Sequence, residues 1–174
     1  MATADTPRIT RRAALRRLAL VTLGAAAVPS LCALEGCGES GPRAIVYGHE
    51  ECAWCRMTVS DARYGAVQLT AHGKQQVFDS VECLAQSTLA LEPGDQARAA
   101  TRSWVTDSLH PGTLVPASAA RYLRSAGPGS PMGKGFRAFA SAADAEREQQ
   151  RNGGVTMSWE EVLTVIGSDH AARG

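Results

Sequence analysis

Tyr64-Gly65-Ala66-Val67-Gln68-Leu69-Thr70-Ala71-His72-Gly73-Lys74-Gln75-Gln76-Val77-Phe78-Asp79-Ser80-Val81-Glu82-Cys83-Leu84 passes from strand-like to helix-like patterning without a break. Tyr64–Thr70 and Gln75–Phe78 read as strands flanking a four-residue turn, in which Gly73 can take a positive φ at little cost. Asp79 is expected to cap the helix that follows. With Glu82 three residues on it forms an aspartate version of the capping box, and Val81, Leu84, Ala85, Thr88 and Leu89 share one helical face, running to about Leu91 before Pro93-Gly94. Cys83 falls off that apolar face, toward either the loop before it or solvent. The strand, turn, strand and helix order assigns the chain to the α+β class.

Working outward, Ala44–Tyr47 reads as a short strand upstream. Downstream, Ser103–Thr106 and Thr113–Val115 read as strands around His110-Pro111-Gly112, and Pro116 is expected to start a helix over Ala117–Arg124. Gly127–Pro131 is a loop. Phe136–Ala140 reads as a strand, Ser141 as the cap of a charged helix to Gln150, and Val155–Met157 as a last strand. Ser158 and Glu161 make a capping box for a final helix ending at Gly167. Two strand-strand-helix units in tandem suggest an internal duplication within a single domain.

The N-terminus has a different composition. Arg8, Arg11, Arg12, Arg16 and Arg17 precede an uncharged run from Leu18 to Leu34 that Pro29 interrupts, which reads as an export signal rather than a spanning helix. Leu34-Glu35-Gly36-Cys37 looks like a lipoprotein cleavage box, with Cys37 as the lipid acceptor and Cys32 as the rival. Thr10–Arg16 also resembles a twin-arginine signal. The expected organisation is a signal over 1–36, a lipidated linker over 37–42 and a domain over 43–174, placing the mature chain in the periplasm on a membrane anchor.

The remaining domain of about 138 residues is long enough for one core and short for two. With 18 Lys and Arg against 17 Asp and Glu, and no basic stripe beyond the signal, nucleic acid is not an expected partner. Serine-hydrolase and nucleotide-binding motifs are absent from the sequence, and no enzymatic activity is expected.

The chemistry concentrates in His49-Glu50-Glu51-Cys52-Ala53-Trp54-Cys55-Arg56-Met57. Two thiols, a thioether and an imidazole make a soft donor set suited to copper or zinc, not the carboxylate-rich set of a hard cation. A further thioether, Met132, lies on the glycine-flanked turn Ser130–Phe136. If Cys37 is acylated, the folded domain keeps Cys52, Cys55 and Cys83, an odd number in an oxidising compartment. A Cys52–Cys55 disulfide and a metal held by several sulfurs both remain open. So do a thiol–disulfide oxidoreductase using Cys52 and Cys55, and a zinc module using His49, Cys52, Cys55 and Cys83.

Cys-x-x-Cys-x-Met, Phe78–Leu84, Trp104-Val105-Thr106-Asp107, Ala119-Ala120-Arg121-Tyr122 and Pro131-Met132-Gly133-x-Gly135-Phe136 occur in an order that resembles the NosL family, over nearly all of the mature chain. The resemblance implies a periplasmic lipoprotein with two ββαβ-like units, related to a mercury lyase domain, that binds monovalent copper, Cu(I). It implies delivery to nitrous oxide reductase or to ABC-type membrane machinery that loads it. It also implies Cys55, Met57 and Met132 as copper ligands; Cys52, as one of a pair of thiols, and His49, by its spacing, are further candidates from the residues themselves. Arg56 stands where the family commonly has glycine, and it would strain the turn if that position needs a positive φ.

Overall fold

The computed structural model describes residues 41–91, 101–126 and 129–172. The export signal at 1–36, the lipid acceptor Cys37, the Pro93-Gly94 helix stop and Gly127-Pro128 of the predicted loop lie outside the described residues. The opening hairpin forms as its alternation predicts. Ala66–Leu69 (β1) pairs antiparallel with Gln75–Phe78 (β2), Val67 facing Val77, around a turn in which Gly73 has φ 74°.

β1 is buried along its whole length because it also pairs with Arg102–Thr106 (β3), which in turn pairs with Leu114–Pro116 (β4). The resulting sheet has the order β2-β1-β3-β4, with the helix Val81–Leu89 (α1) between β2 and β3. The second unit repeats this plan. Arg121–Arg124 (β5), Phe136–Phe139 (β6), the helix Ala142–Asn152 (α2) and Val155–Met157 (β7) build a sheet of order β6-β5-β7. In both units the first strand is central, the second is an edge, and a helix leads to the strand on the other side. This is the expected α+β fold of tandem ββαβ units.

The last helix, Trp159–Ala171 (α3), starts as its sequence dictates. Ser158 N–H donates to Glu161 Oε2 at 2.7 Å, and Glu161 N–H donates to Ser158 Oγ at 3.3 Å. It runs past the expected stop at Gly167 and packs against α1. One apolar cluster joins the two units, with Phe78, Leu84, Tyr122, Phe136 and Val162 fully buried in it. Burying each of the two phenylalanines contributes about 1.5–3 kcal/mol, which is why a chain with few aromatics still forms one core.

Three local expectations fail for identifiable reasons. Ala44–Tyr47 is not a strand: Val46 gives its N–H to Glu50 Oε2 and its carbonyl to the N–H groups of His49 and Glu50, leaving neither for a ladder. Ala117–Arg124 is not a helix. Ala119 and Ala120 both bond Pro116 O and complete one turn, after which Arg121–Arg124 pairs on both sides as β5 and buries Tyr122 and Leu123. That sheet pairing outweighs the helical preference of the alanines. Finally, Asp79 does not cap α1. Ser80 does, its Oγ accepting from Cys83 N–H at 3.2 Å, which leaves Asp79 and Glu82 for other partners.

Candidate metal centre

The Cys52–Met57 segment is a tight loop held at several points. Gly48 N–H bonds Val59 O, Val59 N–H bonds Glu50 O and Cys52 N–H bonds Met57 O, each at 2.8 Å. Arg56 N–H reaches back to Cys52 O, and to close that turn Arg56 takes φ 68°, the left-handed conformation in which a side chain is strained. The glycine-to-arginine departure therefore falls at a position that does require positive φ. The loop tip is docked on the edge strand of the first sheet by Ala53 N–H donating to Val77 O at 2.8 Å.

This docking sets the Cys-x-x-Cys turn beside the end of β2, where Asp79 leaves the strand and α1 begins. Ligand atoms of Cys52, Cys55, Asp79 and Cys83 all lie within 4.8 Å of one another. Cys52, Asp79 and Cys83 are buried and Cys55 is half-buried, so one thiol opens outward. Cys55 Sγ donates to Asp79 Oδ2 at 3.4 Å, while Asp79 Oδ1 is buried with no hydrogen-bond partner. A buried carboxylate oxygen left unpaired among three sulfurs is costly, and a cation placed among them would satisfy it.

The thiols are not equivalent. Cys52 is pulled down to about 6, first because Cys83 donates its S–H to it and then by the N–H groups of Cys55, Asp79 and Trp54, against burial. Cys55 is pushed up to about 11, first by burial, with Cys52 and Asp79 adding repulsion. Cys83 is also pushed up, first by its hydrogen bond to Cys52 and then by burial and Asp79. The hydrogen-bonded Cys52 and Cys83 therefore favour one thiolate between them. All three cysteines are free.

Of the residues singled out in the sequence, the fold brings together Cys52 and Cys55 and adds Asp79 and Cys83 to them. His49 is exposed and is not part of the cluster. Met57 shares the loop but is 55% exposed, and Met132 is half-buried against the same core cluster that contains Cys52 and Cys83. Asp79 is not the helix cap that its place in the sequence predicts, and Cys83 faces the loop before it rather than solvent. No spacing signal announces the pair, because Asp79 precedes the extended cap Ser80 and lies outside the helix, where i, i+4 periodicity does not apply. Trp54, in the same turn, is 40% exposed.

The sequence model of the NosL family matches residues 44–165. The fold is similar to the crystal structure of the copper chaperone NosL from Shewanella denitrificans, with a TM-score of 0.58 and 22% identity, over 70% of this chain and 96% of that one. No curated protein matches the chain.

Proposed function

The chain belongs to the NosL family, and from that premise we propose that it is a chaperone that binds Cu(I) and hands it on, without catalysis. The observation that carries this reading is the convergence of three cysteine sulfurs and the Asp79 carboxylate within 4.8 Å, with Cys55 at the outer side. Thiolates favour monovalent copper, and a half-buried sulfur gives a partner's thiolate a place to attack during transfer. Met57 and Met132 supply the thioethers. Met57 stands exposed beside Cys55, suited to meet the ion as it enters or leaves.

The protein is proposed to act in the periplasm. The signal-like N-terminus and the Leu34-Glu35-Gly36-Cys37 box support export and a lipid anchor on Cys37. Among the described residues no helix is long and apolar enough to cross a membrane. Copper would pass to ABC-type membrane machinery or to nitrous oxide reductase itself, as kinship suggests. Growth on nitrous oxide as sole electron acceptor, in a strain lacking the protein, tests the recipient.

A zinc module is the second reading, favoured by the donor count: three cysteines and one carboxylate make four ligands, the number a closed zinc site takes. Titration of the reduced chain against a Cu(I) chelator and a zinc indicator separates the two. The chaperone reading expects one Cu(I) bound in preference to zinc, and tighter zinc binding would reject it. The thiol oxidoreductase reading has less support, because the Cys52–Cys55 turn does not start a helix that would activate the first thiol.

A further inference from the structure

Glu82 is fully buried on the first turn of α1, next to Cys83. Its Oε1 accepts a hydrogen bond from Ser130 Oγ, across 48 residues of sequence, while its Oε2 has no partner of its own. Ser130 is 5% exposed and lies two residues before Met132. The same Ser130 Oγ accepts from Gly135 N–H at 3.1 Å, and Gly133 N–H closes the turn on Ser130 O at 2.8 Å. Ser130 is thus the hub of the loop that displays Met132.

The loop is fixed elsewhere too. Gly135 has φ 76° and packs so closely on the preceding strand end that a Cβ would lie 2.1 Å from Ser125 O. Lys134 Nζ bonds Asp169 Oδ2 of α3 at 3.0 Å. These contacts set the shape of the loop, and Ser130 ties it to the turn of α1 that carries Cys83, with the N–H of Phe136 at the end of the loop also directed at the Glu82 carboxyl. A carboxyl buried for this purpose is expensive, since burial holds Glu82 above the usual carboxylate range and leaves one oxygen unpaired.

Resting on the reading of Met132 as a copper ligand, we infer that Glu82 and Ser130 are positioning residues. Their hydrogen bond holds the methionine loop of the second unit against the thiol cluster of the first, so that one ion can reach sulfur from both. Neither residue touches the ion. Loss of the bond would let the loop relax and cost the thioether contact, while the thiols stay in place.

The test is a double-variant cycle on the full reduced chain, read as Cu(I) affinity by chelator competition. Ser130→Ala should weaken copper no more than Met132→Leu does, by up to about tenfold, the low end of the cost of losing a supporting partner. Ser130→Thr, which keeps the hydroxyl, should recover most of it. In a Met132→Leu background, Ser130→Ala should add less than about twofold, because the contact it supports is already gone. Copper-edge X-ray absorption of Ser130→Ala should show one sulfur fewer, as in Met132→Leu. If Ser130→Ala binds like the parent, or weakens binding equally with and without Met132, the positioning role is wrong while the ligand reading stands. If Met132→Leu alone changes nothing, the ligand reading fails, and this inference with it. Circular dichroism separates a folded variant that has lost copper from an unfolded one; a loss of copper that tracks loss of fold overturns the inference.

Discussion

The two ββαβ units of this protein begin their helices in the same way and use them differently. In the first, Phe78 ends β2 and Ser80 caps α1, its Oγ taking Cys83 N–H at 3.2 Å. In the second, Phe139 ends β6 and Ser141 caps α2, its Oγ taking Asp144 N–H at 3.1 Å. Residue by residue, Asp79 corresponds to Ala140 and Cys83 to Asp144. Yet Cys83 is fully buried, whereas the Asp144 carboxylate pairs with Arg147 near the surface. What differs is the covering. The first unit is preceded by the loop over 48–59, pinned to β2 through Ala53, and that loop closes over the helix start. The frame is duplicated; the metal-binding potential comes from the loop and from two substitutions on one copy of the frame.

The strongest way to break this comparison is to remove a donor from the first unit. Cys55→Ser and Cys83→Ser should each lower Cu(I) affinity by more than the roughly 100-fold that marks the upper end for supporting residues. Chelator competition measures the loss, and affinity unchanged in Cys83→Ser would return that residue to an inert core role. Next in size is Asp79→Asn, which keeps the shape and removes the charge. It should weaken copper by about tenfold, and a variant equal to the parent would make Asp79 a structural residue only.

Smaller effects sharpen the comparison. Met57→Leu and Met132→Leu should each weaken copper while costing less than about 1.5 kcal/mol of stability, because the swap nearly conserves volume. Denaturant unfolding of the metal-free variants measures the second part. The paired caps give the finest contrast: Ser80→Ala and Ser141→Ala should each cost about 1 kcal/mol of stability, but only Ser80→Ala should also reduce copper affinity. Equal copper binding in both cap variants would show that the two helix starts are interchangeable and that the comparison has no functional content.

Much of the fold was legible because its elements carry strong local signals. The hairpin turn at Gly73, the Ser141 cap, the strand Val155–Met157 and the Ser158–Glu161 capping box are all dictated by neighbours in sequence. What failed was decided at a distance. Arg121–Arg124 follows a helix-like alanine run, and only its place between β6 and β7 makes it a strand. Part of the site was legible for the same reason: Cys52 and Cys55 sit in one loop, so their proximity is local. Asp79 and Cys83 join them only because Ala53 docks on β2, a contact spanning 24 residues that no spacing rule announces. Asp79 has the place and chemistry of a cap, but the adjacent Ser80 takes that role.

The central claim is that the first unit's sulfurs hold copper as a monovalent ion. Copper K-edge X-ray absorption of the full reduced chain loaded with one equivalent of copper addresses it directly. The account predicts a Cu(I) edge with a nearest shell dominated by sulfur, and loss of sulfur from that shell in Cys55→Ser. A shell of nitrogen and oxygen, or a sulfur shell unchanged in Cys55→Ser, would contradict it.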